Sequence, residues 1–170
     1  ETQGRDCGIY LDYLRECSKL GYDMKNKKVL FPADLQAAHE ETSEKIRIQA
    51  DSKKKVAFKD STDKIYGRPE YREENLLIRA AQSPEELSKE SAALHHCVRT
   101  YVDCVARGEC VILFIRKTAS PDEPYFTLEL SPKGEIIQCR GGHNCAYPED
   151  VKEFLERWKK WMKKKERKAA

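Results

Sequence analysis

Between Cys110 and Arg140 the chain carries three short runs rich in β-branched and aromatic residues, CVILFIRK, YFTLEL and EIIQCR, separated by SPDEP and SPKGE. Runs of this length, bounded by Pro, Asp and Gly reversals, read as strands that turn back on themselves, which commits the C-terminal half to an antiparallel sheet. Strand alternation then sorts the side chains. In the second run Phe126, Leu128 and Leu130 share one face, with Thr127 and Glu129 on the other. In the third, Ile137 and Cys139 share a face, with Gln138 and Arg140 opposite. Pairing these two strands as a hairpin would gather Thr127, Glu129, Gln138 and Arg140 in one polar patch, joined by Arg116 from the first run beside Ile112 and Phe114. An ordinary two-faced sheet with charge pairs on its wet side carries the same pattern.

The flanks read as helices. Asp6 can cap a first helix carrying Ile9, Tyr10, Tyr13, Leu14, Cys17 and Leu20 at helical spacing, with Gly21 as its stop. A connector, YDMKNKKVLFP, is expected to bury Val29, Leu30 and Phe31. Pro32 opens a long helix, sparse in apolar residues, that runs to about Tyr66 and ends before Gly67-Arg68-Pro69; its His39 reads as a surface or interhelical histidine. Asn75 to Ala80 has strand character. Ser83-Pro84-Glu85-Glu86 starts a helix, with Ser83 as cap, Pro84 at the first position and Glu86 closing a capping box. A further helix near Val98 to Ala106 ends at Gly108. From Pro148 a last helix sets Val151, Phe154, Leu155, Trp158, Trp161 and Met162 on one apolar stripe, expected to pack on the sheet. The expected class is α+β: a helical N-terminal region over residues 1–68, packed on a small antiparallel sheet of three to four strands, with residues 69–170 forming the core and ending in a basic amphipathic helix.

His95-His96-Cys97 falls at the junction of two helices. A thiol beside an imidazole is a nucleophile-and-base pair. Leu94, Cys97, Val98 and Tyr101 also match one buried helical face, which would make Cys97 an inert core thiol. The loop Gly141-Gly142-His143-Asn144-Cys145 is flexible enough for its backbone to approach a phosphate. His95, Cys97, His143 and Cys145 match no usual structural-zinc spacing, so no metal is assigned. The sequence names no cofactor.

Of the formal net charge of +3, the segment Arg157–Lys168 carries +7 (eight Lys/Arg against Glu166), leaving −4 for the rest. The basic character therefore belongs to the tail, where Arg157, Lys159, Lys160, Lys163, Lys164 and Lys165 can attract nucleic acid, an anionic surface or an acidic partner. A solvated helix end whose lysines complement the C-terminal dipole has the same composition. Seven cysteines with no CxxC pair point to a reducing compartment and a cytoplasmic location. No apolar run approaches the roughly 20 residues of a membrane span. The chain begins at Glu1 rather than Met, as a piece of a longer protein would.

The segments LHHCVRTY, a strand ending in IRK, PYFTLEL and IIQCRGGHN, with YLDYLRECSKLGYDMKNKKVLFPADLQAAHE upstream, resemble the PcfJ-like proteins. Arg99 stands where that family's pattern has a glycine, and GGHNC diverges locally. The resemblance implies proteins of conjugative plasmids, integrative elements and phages, including relaxosome accessory factors that help present DNA to the transfer machinery. Carried over residue by residue, the matching positions are His96, Cys97, Tyr101, Arg116, Thr127, Glu129, Gln138, Arg140, Gly141 and Asn144.

Two functions follow as expectations. In the first, the chain is a non-enzymatic module that binds nucleic acid or relaxosome proteins through Lys159, Lys160, Lys163, Lys164 and neighbouring tail residues, with Arg140. In the second, it is an enzyme acting on a nucleotide or nucleic acid. Glu129 would then be general base or metal ligand and His96 general acid/base. Cys97 and Gln138 would stand beside them in the catalytic set, Gln138, Arg140 and Asn144 would orient an anionic group, and Tyr101, Arg116, Thr127 and Gly141 would join Arg140 and Asn144 in binding the ligand or nucleic acid.

Overall fold

The runs between Cys110 and Arg140 form antiparallel strands in succession, as their composition and turns require. A computed structural model, which describes residues 3–169 with side chains over 7–163, places them in one antiparallel sheet. Its strands are β1 (Tyr71–Arg72), β2 (Leu76–Ala80), β3 (Val111–Lys117), β4 (Phe126–Leu130) and β5 (Ile136–Arg140), in the order β1-β2-β3-β4-β5. The α+β class holds. The sheet has five strands rather than three to four because the two-residue β1 is too short to leave an alternating signature.

The chain divides into two compact units, Glu1–Lys54 and Lys55–Ala170. In the first, α1 (Gln3–Lys19) begins ahead of Asp6, which therefore lies inside the helix and not at its cap. It ends as expected at Gly21, whose φ of 75° allows Tyr22 N–H to reach back to Cys17 O at 3.0 Å and its own N–H to reach Ser18 O at 3.1 Å. The connector folds into a single turn, α2 (Lys27–Leu30), capped by the Asn26 side chain. Tyr10 and Tyr13 donate their hydroxyls to Leu30 O and Val29 O at 2.7 and 2.8 Å. Phe31 was expected inside; it is 71% exposed, because the turn ends there and only Val29 and Leu30 are half-buried. The long helix α3 (Leu35–Ile65) stops before Gly67, as its sequence says.

In the second unit the two faces of the sheet are covered differently. On one face Leu76, Ile78, Leu113, Ile115, Phe126, Leu128 and Cys139 pack against Val151, Phe154, Leu155 and Trp158 of α6 (Glu149–Ala169). The apolar stripe of the last helix thus does what its spacing predicts, with Trp161 and Met162 at the margin. On the other face Ala81, Cys110, Ile112 and Phe114 pack under Leu87 of α4 (Pro84–Leu94), Val98 of a 3-10 turn (Val98–Tyr101) and Val105 of α5 (Val102–Ala106). Phe58 from the C-terminal part of α3 closes this cluster.

Two local expectations fail for identifiable reasons. The capping box does not form: Ser83 makes no side-chain cap bond, and Glu86 instead accepts from Gln82 N–H at 2.8 Å and pairs with Arg79 at 3.0 Å. Ile137 does not share the core with Cys139. A bulge between Glu129 and Leu130 pairs Leu130 with Ile136, so Ile136 takes the inner position and Ile137 is left 55% exposed.

Candidate functional site

The β4–β5 register sets Thr127 opposite Arg140 and Glu129 opposite Gln138, on the face that α4 and the 3-10 turn only partly cover. Where the cover ends, a cleft of about 150 Å³ opens, lined by His96, Cys97, Tyr101, Thr127, Glu129, Gln138, Arg140 and Asn144, with Val98 and Ile112 supplying apolar wall. Eight residues singled out from sequence therefore meet at one opening.

Each lining residue is placed by a specific local device. Helix α4 ends at His95 in the left-handed conformation (φ 52°), which turns the chain back toward the sheet. Ser91 then holds the next residue from both sides: its carbonyl accepts His96 N–H at 3.3 Å, and its hydroxyl donates to His96 O. On the opposite rim, Gly141 sits so close to Phe126 that an added Cβ would lie 2.6 Å from its ring, so no side chain fits there. The loop beyond is folded by Asn144 N–H to Gly141 O at 3.1 Å, and His143 stacks on His95 with ring centroids 4.7 Å apart. Among the described residues, the non-glycine positions with positive φ are His95, His143 and Asn144, all at this rim. Such conformations cost about 1–3 kcal/mol each and cluster at ligand sites.

Behind the cleft lies a buried charge. Arg116 and Glu90, only 4% and 1% exposed at their side chains, form a two-pronged ion pair at 3.0 and 2.5 Å. Arg116 is stacked 4.5 Å from the centre of the Phe114 ring. Thr127 donates its hydroxyl to Glu90 Oε1 at 2.8 Å, and Thr127 Oγ1 lies 3.1 Å from His96 Nε2. Because the threonine's single hydrogen is committed to a carboxylate that can only accept, the oxygen must accept from His96. Nε2 therefore carries a proton, while the buried Nδ1 has no partner among the described residues. A second cluster sits beside the first. Gln138 donates both amide hydrogens, to Tyr101 Oη at 3.0 Å and Glu129 Oε2 at 2.7 Å. Burial first, then the Glu129 carboxylate, pushes the Tyr101 hydroxyl above its ordinary value, so it stays protonated near neutrality.

Not every candidate lands in the opening. Arg116 lies beneath it as the partner of Glu90, and Gly141 serves as a packing requirement beside Phe126. Cys97, expected to be buried, is exposed at the cleft: the left-handed turn at His95 breaks the helix, so the face inferred from Leu94 does not continue through it. Lys159, Lys160 and Lys163 are exposed on α6 away from the cleft, and the side chains of Lys164 and Lys165 lie outside the described residues. Arg157 is held by Glu73 at 2.9 Å. Among the described residues no three His, Cys, Asp or Glu side chains converge as metal ligands, and no helix is long and apolar enough to cross a membrane. Glu90 was missed, although its position on the Leu87, Ser91, Leu94 face of α4 is the signal a buried carboxylate leaves.

The model of the PcfJ-like protein family matches residues 9–168, and so takes in the whole cleft. The chain belongs to the PcfJ-like protein family. A curated relative, the uncharacterized protein Lin1253/Lin1744 of Listeria innocua, is 28% identical over 162 residues, or 94% of this chain. The PcfJ-like chain spans 35% of that relative's length. No solved structure matches it.

Proposed function

We propose that this PcfJ-like protein is an accessory factor of a mobile genetic element (a conjugative plasmid, integrative element or phage) and that it binds nucleic acid at the cleft beside His96, in company with relaxosome proteins. What supports the reading is the convergence of Tyr101, Thr127, Glu129, Gln138, Arg140 and Asn144, from separate elements, on one opening of about 150 Å³. Pockets that enclose whole drug-sized ligands run to roughly 300–1,000 Å³, so this one suits a single group of a larger molecule. A carboxylate, two amides and a phenol offer the mixed acceptors and donors that a base edge requires, and Arg140 supplies a cation for the phosphate. Lys159, Lys160 and Lys163 add attraction that is independent of sequence.

Fluorescence anisotropy of labelled oligonucleotides against the full chain tests the reading. Affinity should fall steeply as salt rises, and Glu129→Gln and His96→Ala should each weaken binding about tenfold, or about 1.4 kcal/mol, with little change in melting temperature. Absence of binding at low salt by the intact chain would sink it.

The fixed ring of His96 favours a second reading, acid–base chemistry on the bound nucleotide, with His96 as general acid/base and Glu129 as base or metal ligand. Exposed Cys97 stands in the same opening as a nucleophile candidate. An oligonucleotide or nucleotide turned over by the wild type and bound but unchanged by Glu129→Gln would establish it.

A further inference from the structure

A second and larger concavity, about 490 Å³, lies between the open edge of β5 and α6. Gln138 and Arg140 line both it and the His96 cleft, so the two meet across one strand. The groove carries three cations, Arg140, Lys152 and Lys159, against the single carboxylate Glu156. The Arg140 side chain is exposed and has no hydrogen-bonding or ion-pair partner among the described residues, while Lys152 is already turned to Glu149 at 2.9 Å. Tyr147 and Ile137 stand in the same groove 40% and 55% exposed, which leaves an aromatic ring open to a stacking partner there.

Cations spaced along a groove, an exposed aromatic ring within it and a small polar cleft at one end are the parts of a single-strand track. Phosphates follow the charges, one base lies on the ring, and the next enters the cleft. A duplex meets the cleft poorly, because its bases are stacked and one must be extruded before it can enter. We infer that the β5–α6 groove guides the sugar-phosphate backbone of single-stranded nucleic acid past Arg140 into the His96 cleft. This deepens the proposed function and rests on it. The open edge of β5 would equally admit an extended acidic peptide as an added strand. Continuity with a cleft whose groups suit a base edge favours the nucleic acid.

The experiment compares binding of a fluorescein-labelled single-stranded oligonucleotide, and of its duplex, to the full chain across a salt series. The single strand should bind about tenfold or more tighter than the duplex, since the duplex spends affinity on extrusion. The Lys152→Ala/Lys159→Ala double variant, which leaves the cleft residue Arg140 in place, should flatten the plot of log K against log salt by about 1.4, at ~0.7 per phosphate released from a single strand. Lys160→Ala/Lys163→Ala removes equal charge from α6 outside the groove and should flatten it less. Equal flattening by the two variants would mean diffuse attraction and overturn the track, as would a duplex bound as tightly as the single strand. If Glu129→Gln weakens binding while the groove variant does not, the cleft reading stands and the track falls. If the groove takes a poly-glutamate peptide and no oligonucleotide, both fall. All the substituted cations are exposed, so melting temperatures near wild type should accompany each result.

Discussion

The two faces of the sheet use the same strands for opposite ends. Under α6 the buried inward residues of β2, β3, β4 and β5 are apolar, closed by Phe154 and Trp158. On the reverse face the alternate residues begin apolar at Ile112 and Phe114 and end with Arg116, Thr127, Glu129, Gln138 and Arg140. The sealed face is the one expected to supply most of the stability. The other buries the Arg116–Glu90 ion pair, whose desolvation offsets much of its own attraction, and gains a threonine and a histidine held in fixed orientation. A buried charge pair that leads by hydrogen bonds to the wall of a cleft is spent on placing groups rather than on holding the fold.

Replacing the pair by apolar residues puts that distinction to the largest test. Trp158→Ala should cost about 3–5 kcal/mol in chemical denaturation, by cavity formation in the sealed face. Glu90→Ala should cost a similar amount, about 3–5 kcal/mol, because it strands Arg116 in the interior. The double variant Glu90→Leu/Arg116→Met should recover most of that loss while oligonucleotide binding remains impaired. A double variant no more stable than Glu90→Ala would show instead that the pair holds the fold.

A smaller effect is expected at the hydroxyl that links the pair to the cleft. Thr127→Val should cost about 1–3 kcal/mol by leaving Glu90 and His96 each short of a partner. Nitrogen NMR should find His96 protonated at Nε2 in the wild type and no longer fixed in the variant. An unchanged ring spectrum would remove Thr127 from the role.

The mildest contrast is in the thiols. Burial, the leading cause in both, pushes Cys110 on the cleft side and Cys139 on the sealed side up from 9.0 to about 12. The unfolded chain therefore loses these protons first, so the contribution to stability is full below about pH 9 and is lost as pH rises toward 12. Urea melts across that range check the slope. Alkylation near neutrality should label exposed Cys97 and Cys145 quickly and leave Cys110 and Cys139 until the chain unfolds.

How much of this could be read beforehand follows from the range of each interaction. Alternation within β4 and β5 and the reversal between them are local, so the shared face of Thr127, Glu129, Gln138 and Arg140 is legible in a few residues of sequence, whereas their pairing register, with its bulge, is not. The partner of Arg116 was not, because Glu90 stands 26 residues away on a helix whose docking no local pattern specifies. The exposure of Cys97 was hidden for another reason. Helical periodicity was carried through a point where the left-handed turn at His95 resets it. Phe31 misled because an apolar residue announces burial only when an element is long enough to press it against something, and α2 is a single turn.

The bulge at Ile137 has a consequence for how this hairpin tolerates changes in length. In a regular strand, loss of one residue inverts the facing of everything beyond it. Ile137 alone has no opposite number, and its removal would leave Ile136, Gln138, Cys139 and Arg140 facing the partners they already have. Loss of one of the two adjacent isoleucines is a change of length the hairpin can absorb, and gene copies one codon shorter there would encode the same opening.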